Sequence, residues 1–330
     1  MTLLDVIAAN FRRIIACLLA ALCWGGQGAL AWTDKPVKLV VPAPPGGTMD
    51  VLARVLAEQL SAEIGQPVIV DNRPGAGGGI GVQAMLTAPA DGQTLMVTAS
   101  NVLTEVPHVL KSGFDPLKDV RPIAAVARAS LVFVGGPGAA GTSLQEFVGS
   151  ARANPGKLSV ASYSTGTASH YAAMILNQKA GLDLVHVPFP GSPPALAQVM
   201  GSQIPVMFDG MATSLPQLRG GKLKAYAVAS STRSTFLPQV PTFAELGYPE
   251  IEFSNWIGVV AAGGVSNDMV EKINVAIQKA ATAPKLRERL TGAGFEMTPG
   301  GTPAQLAQAV RVEHERNGGI VRAFGIKLNQ

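Results

Sequence analysis

The chain has 330 residues, 47% of them hydrophobic and 15% charged, with a formal net charge of +4 at pH 7. That length matches about two domains, each long enough to bury a sizeable core, and so small a basic excess, with no basic cluster or aromatic platform, gives no nucleic-acid footprint while suiting the attraction of small anions. Both cysteines, Cys17 and Cys23, lie near the N-terminus, which excludes disulfides, cysteine metal sites and cysteine nucleophiles from the rest of the chain.

Residues 1–31 read as a secretory signal peptide. Arg12 and Arg13 precede an apolar run, Ile14 to Trp24, that is too short to span a bilayer, and Ala29-Leu30-Ala31 has the small-x-small pattern of a cleavage site. Asp5 is atypical there, and a misassigned start codon is the alternative. Lipid anchoring fits poorly, because Cys23 follows Leu22 and Cys17 has almost no apolar run before it. Loss of this segment takes the formal charge from +4 to +3.

Downstream, short apolar runs alternate with helical patterns, the signature of a mostly parallel sheet flanked by helices. The first strand, Lys38–Val41, runs into Pro44-Pro45-Gly46-Gly47 and then a helix over Asp50–Ile64 with Leu52, Val55, Leu56 and Leu60 at helical spacing. Glycines at such a turn let a ligand approach the N–H groups that a first helical turn leaves unpaired, so Pro44, Gly46, Gly47, Thr48 and Asp50 form a candidate anion cradle. An ordinary strand-to-helix turn has the same shape.

A second strand, Val68–Val70, leads to the glycine-rich run Gly75–Gly81 and a helix over Gly79–Leu86. Gly79-x-Gly81-x-x-Ala84 formally fits a dinucleotide fingerprint, but the strand ends about nine residues too early and no acidic ribose partner follows. Close packing or a cleft wall is the better reading of these glycines. A strand over Thr94–Ala99 then delivers Ser100 and Asn101, and strands over Ile123–Val126, Leu131–Gly135 and Leu158–Ala161 follow, with a helix over Ser143–Ala153 opened by a Ser143/Glu146 capping box.

Ser162 to His170 come after a strand and before a helix over Ser169–Gln178. Tyr163, Ser164, Thr165, Gly166, Thr167 and His170 make a second candidate anion cradle, although an N-cap cluster in which Thr167 or Ser169 serves its own helix explains the same residues. Ser164 or Thr165 with His170 also admits a hydrolase reading, against which no nucleophile elbow and no orienting acid appear. His170 is expected to pack at its helix start and donate a hydrogen bond.

Further strands are predicted over Leu184–Val187, Val206–Phe208, Ala225–Ala229 and Trp256–Ala261, and helices over Ala195–Met200, Pro241–Leu246, Ser266–Ala281, Pro284–Ala293 and Thr302–Asn317. Phe189 and Asp209, each just past a strand end, are cleft candidates; a turn or cap aspartate is as good a reading of Asp209. The four histidines, His108, His170, His186 and His314, lack metal-ligand spacing, and neither a metal nor a cofactor is implied. No linker separates two halves, so a two-lobed protein whose chain crosses between lobes more than once is expected, with a small-molecule cleft between them.

Pro42-Ala43-Pro44-Pro45-Gly46-Gly47-Thr48-Met49-Asp50, Asn72-Arg73-Pro74-Gly75-Ala76-Gly77-Gly78, Asp91-Gly92-Gln93-Thr94-Leu95, His186-Val187-Pro188-Phe189 and Val240-Pro241-Thr242 together resemble the Bug receptors of Gram-negative bacteria, the solute-binding proteins of tripartite tricarboxylate transporters. The resemblance runs from about Lys35 to the C-terminus. It implies an α/β, type II periplasmic-binding-protein fold: two α/β lobes, residues 32–128 plus 255–330 and residues 129–254, with an interlobe ligand cleft. It also implies a periplasmic, monomeric, non-catalytic receptor. Such a receptor holds a small organic anion, a carboxylate or an amino-acid-like solute, through main-chain N–H groups and hydroxyls of Pro44–Asp50 and Tyr163–His170. The partner implied is a two-subunit membrane permease, although many family members have no permease gene nearby. A solute-sensing adaptor for a signalling partner shares the fold and stays open. The chain departs from the family pattern at Ser164, Thr167, Val106, Met174 and Pro190, which lowers the number of polar groups expected at the cleft and leaves room for a smaller or more apolar acid, such as an aromatic carboxylate, or an amide.

Overall fold

The computed structural model describes residues 32–326, so the signal-peptide reading of residues 1–31 lies outside the described residues. Strand β1 (Val37–Val41) is buried except for Lys38, and its aliphatic side chains fit a strand covered on both faces. Helix α1 (Thr48–Ile64), strand β2 (Val68–Asn72), a 3-10 turn at Ala76–Gly78, helix α2 (Gly79–Leu86) and strand β3 (Thr94–Ala99) follow. A single turn of helix, α3 (Asn101–Thr104), then leads to strand β4 (Val120–Gly135).

Strand β4 fuses two predicted strands into one of 16 residues, because the Ala127-Arg128-Ala129-Ser130 segment between them carries no Gly or Pro to break it. After it come α4 (Leu144–Arg152), β5 (Ser159–Ser162), α5 (Ala168–Ala180), β6 (Val185–Pro188), α6 (Ser192–Met200), β7 (Val206–Gly210), α7 (Met211–Arg219), β8 (Lys224–Val228) and β9 (Ser254–Ala262). The chain finishes with α8 (Asn267–Thr282), α9 (Pro284–Gly292), β10 (Glu296–Met297) and α10 (Pro303–Phe324).

The strand order is β2-β1-β3-β9-β4-β7-β5-β6, with β8 and β10 also paired to β4. Residues Val120 to Ser130 of β4 pair with β9, whereas Leu131 to Gly135 pair with β7 and β8. One strand therefore serves two sheets, each with its own core. Leu39, Leu52, Leu56, Ile257, Ile273 and Phe295 belong to the first lobe's core, and Phe133, Phe147, Tyr171, Phe208 and Phe243 to the second's. The parallel pairs β1/β2, β1/β3, β5/β6 and β5/β7 all need helical crossovers, which is why the helices cover both faces.

Three departures from the sequence expectation have local causes. Pro241–Leu246 is a turn, not a helix: Thr242 and Glu245 exchange capping hydrogen bonds, but Gly247 at φ 89° stops the chain after one turn. Helix α7 was hidden by Pro216 inside it, and holds because Met211 and Leu215 are buried beneath. Helix α10 runs on through Gly318-Gly319 to Phe324, because Asn317 is buried with its amide donating to Thr104 Oγ1 at 3.1 Å and the last turns have core to reach. Ile320, Val321 and Phe324 pack against the second lobe's core, to which Ile326 belongs. The C-terminal helix thus starts on one lobe and ends on the other.

Candidate functional site

Strand ends and helix starts from both lobes enclose a cavity of about 280 Å³. The first lobe contributes Pro42 to Pro44, Gly47 to Met49, Gly75 to Gly78, Ala99, Asn101 and Val102; the second contributes Tyr163 to Thr165, Thr167, Pro188 to Ser192 and Gly210. Ala129 and Leu131, on the strand that crosses between lobes, and Asn255 and Ile257, on the neighbouring β9, form the back wall. Close approach across the cleft requires glycine at two positions. A Cβ on Gly191, whose φ is +150°, would stand 2.3 Å from Pro44 Cγ, and one on Gly210 would stand 2.5 Å from Thr48 Oγ1.

The first cradle is held rigid from behind. Gly47 N–H donates to Pro44 O at 3.1 Å, and Gly46 N–H donates to Asp50 Oδ2 at 2.8 Å. Asp50 is buried and also accepts from Arg54 Nε and from Asn72 Nδ2, both at 2.9 Å. Burial would push its carboxyl pKa up, but the hydrogen bonds from Arg54, Gly46 N–H and Asn72, with the Arg54 charge, hold it below the usual value. Asp50 therefore fixes the loop as a carboxylate and does not line the cavity. Helix α1 has Gly47 as its N-cap with no side chain capping it, while Thr48 and Met49 line the cavity. Main-chain donors of a first helical turn there have no partner within the helix.

The second cradle is different. Thr167, the N-cap of α5, turns its hydroxyl back to Ser164 O at 2.7 Å. The Tyr171 hydroxyl of α5 donates to Glu105 O of the first lobe at 2.9 Å, and the Glu105 carboxyl is buried with its Oε2 unpartnered. Burial and the neighbouring Glu313 push Glu105 up to about 8, against the opposing pull of Arg316 and Ala168 N–H. The Thr167 hydroxyl is thus committed to its own turn, and no side chain caps the start of α5.

His170 accepts rather than donates, because Gly166 N–H points at its Nδ1 at 3.1 Å; its Nε2 is buried without a partner. It stacks on His186 with ring centroids 4.1 Å apart, and His186 Nε2 meets Ser162 Oγ at 2.7 Å. Burial lowers His170 to about 3 and His186 to about 4, so both rings are neutral over the physiological range. Their hydrogen bonds go to Gly166 and Ser162, not to Ser164 or Thr165.

Of the residues singled out in the sequence, Pro44, Gly47, Thr48, Asn101, Tyr163, Ser164, Thr165, Thr167 and Phe189 line the cavity. Gly46, Asp50, Ser100, Gly166, His170 and Asp209 stand behind it. Ser100 Oγ donates to Asn255 Oδ1 at 2.9 Å, and Asp209 Oδ2 accepts from Thr213 and Ser214 hydroxyls at 2.6 and 2.7 Å. Burial pushes Asp209 up, against the hydroxyls of Ser192, Thr213 and Ser214. Met174 packs against the second lobe's core, away from the cleft, so its departure from the family pattern does not act on the cavity directly. Ala129, Leu131, Asn255, Ile257 and Gly210 were missed; in the sequence they look like any buried strand. Among the described residues lining the cavity there is no Arg, Lys, His, Asp or Glu.

A family model described as "Tripartite tricarboxylate transporter family receptor" matches residues 52–326. The chain belongs to this receptor family. Among its curated relatives, Protein BugT of Bordetella pertussis is 34% identical over 326 residues, covering 97% of this chain and 99% of the relative. The solved structure of Rpa4515 from R. palustris with adipate superposes with a TM-score of 0.85 at 29% identity, covering 90% of this receptor and 100% of that chain. MatC (Rpa3494) from Rhodopseudomonas palustris with bound malate gives a TM-score of 0.83 at 30% identity, over 88% and 100%. The receptor is thus a Bug-type α/β solute-binding protein of two lobes with a cleft between them.

Proposed function

We propose that the protein is a periplasmic, non-catalytic receptor that binds a small carboxylated solute in the interlobe cleft and passes it to a tripartite tricarboxylate-type transporter. The observation that carries this reading is the uncapped start of α1, with Thr48 and Met49 lining an uncharged cavity closed by both lobes. Fixed main-chain dipoles there favour an anion without a counter-charge. The adipate and malate held by the two structural relatives support a carboxylate ligand. Proposed contacts are Pro44, Gly47, Thr48 and Asn101 on one side and Tyr163, Ser164, Thr165, Thr167 and Phe189 on the other. The moving bodies proposed are residues 32–128 plus 255–330 and residues 129–254, hinged where β4 passes from one sheet to the other and where the chain returns at the start of β9.

Thermal shift against mono-, di- and tricarboxylates, amino acids and amides tests it. A ligand at about 100 times its dissociation constant adds about 2.7 kcal/mol, a rise of several degrees in melting temperature. If none of them raises the melting temperature even at millimolar concentration, the solute-binding assignment to this cleft fails.

A further inference from the structure

We infer, resting on the solute-binding reading above, that Asn101 and Asn255 form a two-donor subsite in the back wall of the cleft. This subsite selects an acid carrying a second acceptor oxygen, in a carbonyl or a carboxylate, over one that ends in a methyl or an ammonium group. Strands β3 and β9 are antiparallel with Ala99 opposite Ile257, and beyond that pair Ser100 N–H still donates to Trp256 O at 2.9 Å. The end of β3 and the start of β9 therefore lie side by side, and both asparagines line the cavity from there. Asn101 is 2% exposed and Asn255 9%, so each amide is almost fully withdrawn from bulk water.

Both amides leave the same atom open. Ser100 Oγ donates to Asn255 Oδ1 at 2.9 Å, which occupies that oxygen and leaves Nδ2. The Oδ1 of Asn101 is sealed from the cavity without a partner, so the atom a solute can reach is again Nδ2. Neither Nδ2 has a hydrogen-bond partner among the described residues. A carboxamide NH2 only donates, and a buried donor without a partner is costly. A carbonyl or carboxylate oxygen removes that cost, whereas a methyl group leaves it standing. An ammonium group sets a donor against donors, and no Asp or Glu among the described lining residues pairs with its charge. The subsite is also set apart from the start of α1. Met49, in the first turn of that helix, reaches the end of β3, where Ala99 N–H donates to its Sδ at 3.2 Å. The length of a methionine side chain thus separates the first turn of α1 from the strand ends that carry the asparagines, and one carboxylate group is too small to serve both.

Isothermal titration of the purified protein with two matched series tests the inference: hexanoate, 5-oxohexanoate, adipate and 5-aminopentanoate; and butanoate, succinate and 3-aminopropanoate. In at least one series an acid with the second acceptor should bind about tenfold or more tighter than its methyl-ended parent, and the amino acid no tighter than that parent. Within the first series, adipate against 5-oxohexanoate tells a carboxylate from a neutral carbonyl at the subsite. Asn255→Asp keeps the size of the side chain and the oxygen that Ser100 donates to, but puts an acceptor where the donor was. It should reverse the order, the acid with the second acceptor losing about tenfold or more and the amino acid overtaking it, and Asn101→Asp should do the same. If an aspartate variant lacks a cooperative melt, Asn255→Leu and Asn101→Leu serve instead and should bring the preference for the second acceptor to within about twofold of none. Tightest binding of the methyl-ended or the amino acid in both series overturns the inference while leaving the solute-binding reading intact. Unchanged selectivity in folded variants at both positions overturns it as well. Binding of none of the seven acids overturns it too, and the wider carboxylate screen then decides the reading beneath it.

Discussion

Gly210 sits where a side chain would meet the opposite lobe. Its backbone, at φ −68° and ψ 140°, suits any residue, so alanine there strains nothing locally, and the whole effect falls on the 2.5 Å approach of the new Cβ to Thr48 Oγ1. Gly210→Ala should therefore weaken ligand binding by about tenfold, the lower range of an overpacking cost, while barely moving the melting temperature of the free protein. Calorimetric titration of Gly210→Ala, Thr48→Ala and the double variant checks it: the two changes should couple, with Thr48→Ala recovering part of the loss, and strict additivity would place the clash elsewhere. Titratable residues give a second prediction at this scale. His170 and His186, held near 3 and 4 in the folded protein against 6.5 when free, bind fewer protons folded than unfolded, so stability is present above about pH 6.5 and is lost as pH falls toward 4. Glu105 works in the other direction. With its folded value raised to about 8, the folded state holds the proton longer, and that contribution is full below about pH 4.5 and is lost as pH rises to 8. Denaturant melts across pH 4 to 9 should show a maximum between these flanks, each worth on the order of 5 kcal/mol, and Glu105→Gln should flatten the alkaline side alone.

The elements explain why some of the molecule was legible in the sequence and some was not. Runs such as Val37-Lys38-Leu39-Val40-Val41 and Val206-Met207-Phe208 announce buried strands because strands covered on both faces of a mixed sheet admit little else. The two strand-to-helix turns at Pro44–Gly47 and Ser162–Thr167 were equally visible, since a glycine-bearing turn between a strand and a helix is a local pattern. The buried acid beside the second turn was not visible. Glu105 comes to α5 from another lobe, its main-chain O accepting from the Tyr171 hydroxyl, and no local pattern marks a glutamate destined for full burial. The back wall escaped for a related reason: Ala129 and Leu131 owe their place to the passage of β4 between sheets, and Ile257 to its pairing beside Ala127 of that strand, which alternation and propensity do not encode. Helix α10 shows how one element joins the two bodies. Its first half packs Leu306 and Val310 on the first lobe and its end packs Phe324 and the following Ile326 on the second. Truncation after Asn317 should leave the first lobe's contacts intact and cost about 2–5 kcal/mol through the lost Ile320, Val321, Phe324 and Ile326 packing, a fall of several degrees in melting temperature by calorimetry.

At the scale of the whole molecule, the proposed receptor function makes the cleft a balance between two arrangements of the lobes. The two lobes meet across the cleft in this structure: Pro44 stands over Gly191, Thr48 over Gly210, and the Tyr171 hydroxyl of the second lobe donates to Glu105 O of the first at 2.9 Å. A ligand shifts such a balance only by the difference in its affinity for the two arrangements, and a solute enclosed by walls from both lobes has that difference built in. Closure is opposed by the desolvation of whatever charge the cavity must enclose, which the protein limits by keeping acids and bases out of the described lining. The conformation should therefore depend on ligand more steeply in the wild type than where closure is sterically blocked. Small-angle X-ray scattering should show the radius of gyration falling when a bound acid is added to the wild-type protein, toward the value calculated from this structure, and staying at the larger value in Gly191→Ala, whose Cβ would stand 2.3 Å from the Pro44 ring. Equal compaction in that variant would mean that the lobes close by a path that does not bring Pro44 over Gly191, and would detach the glycines of the second lobe from the closing motion.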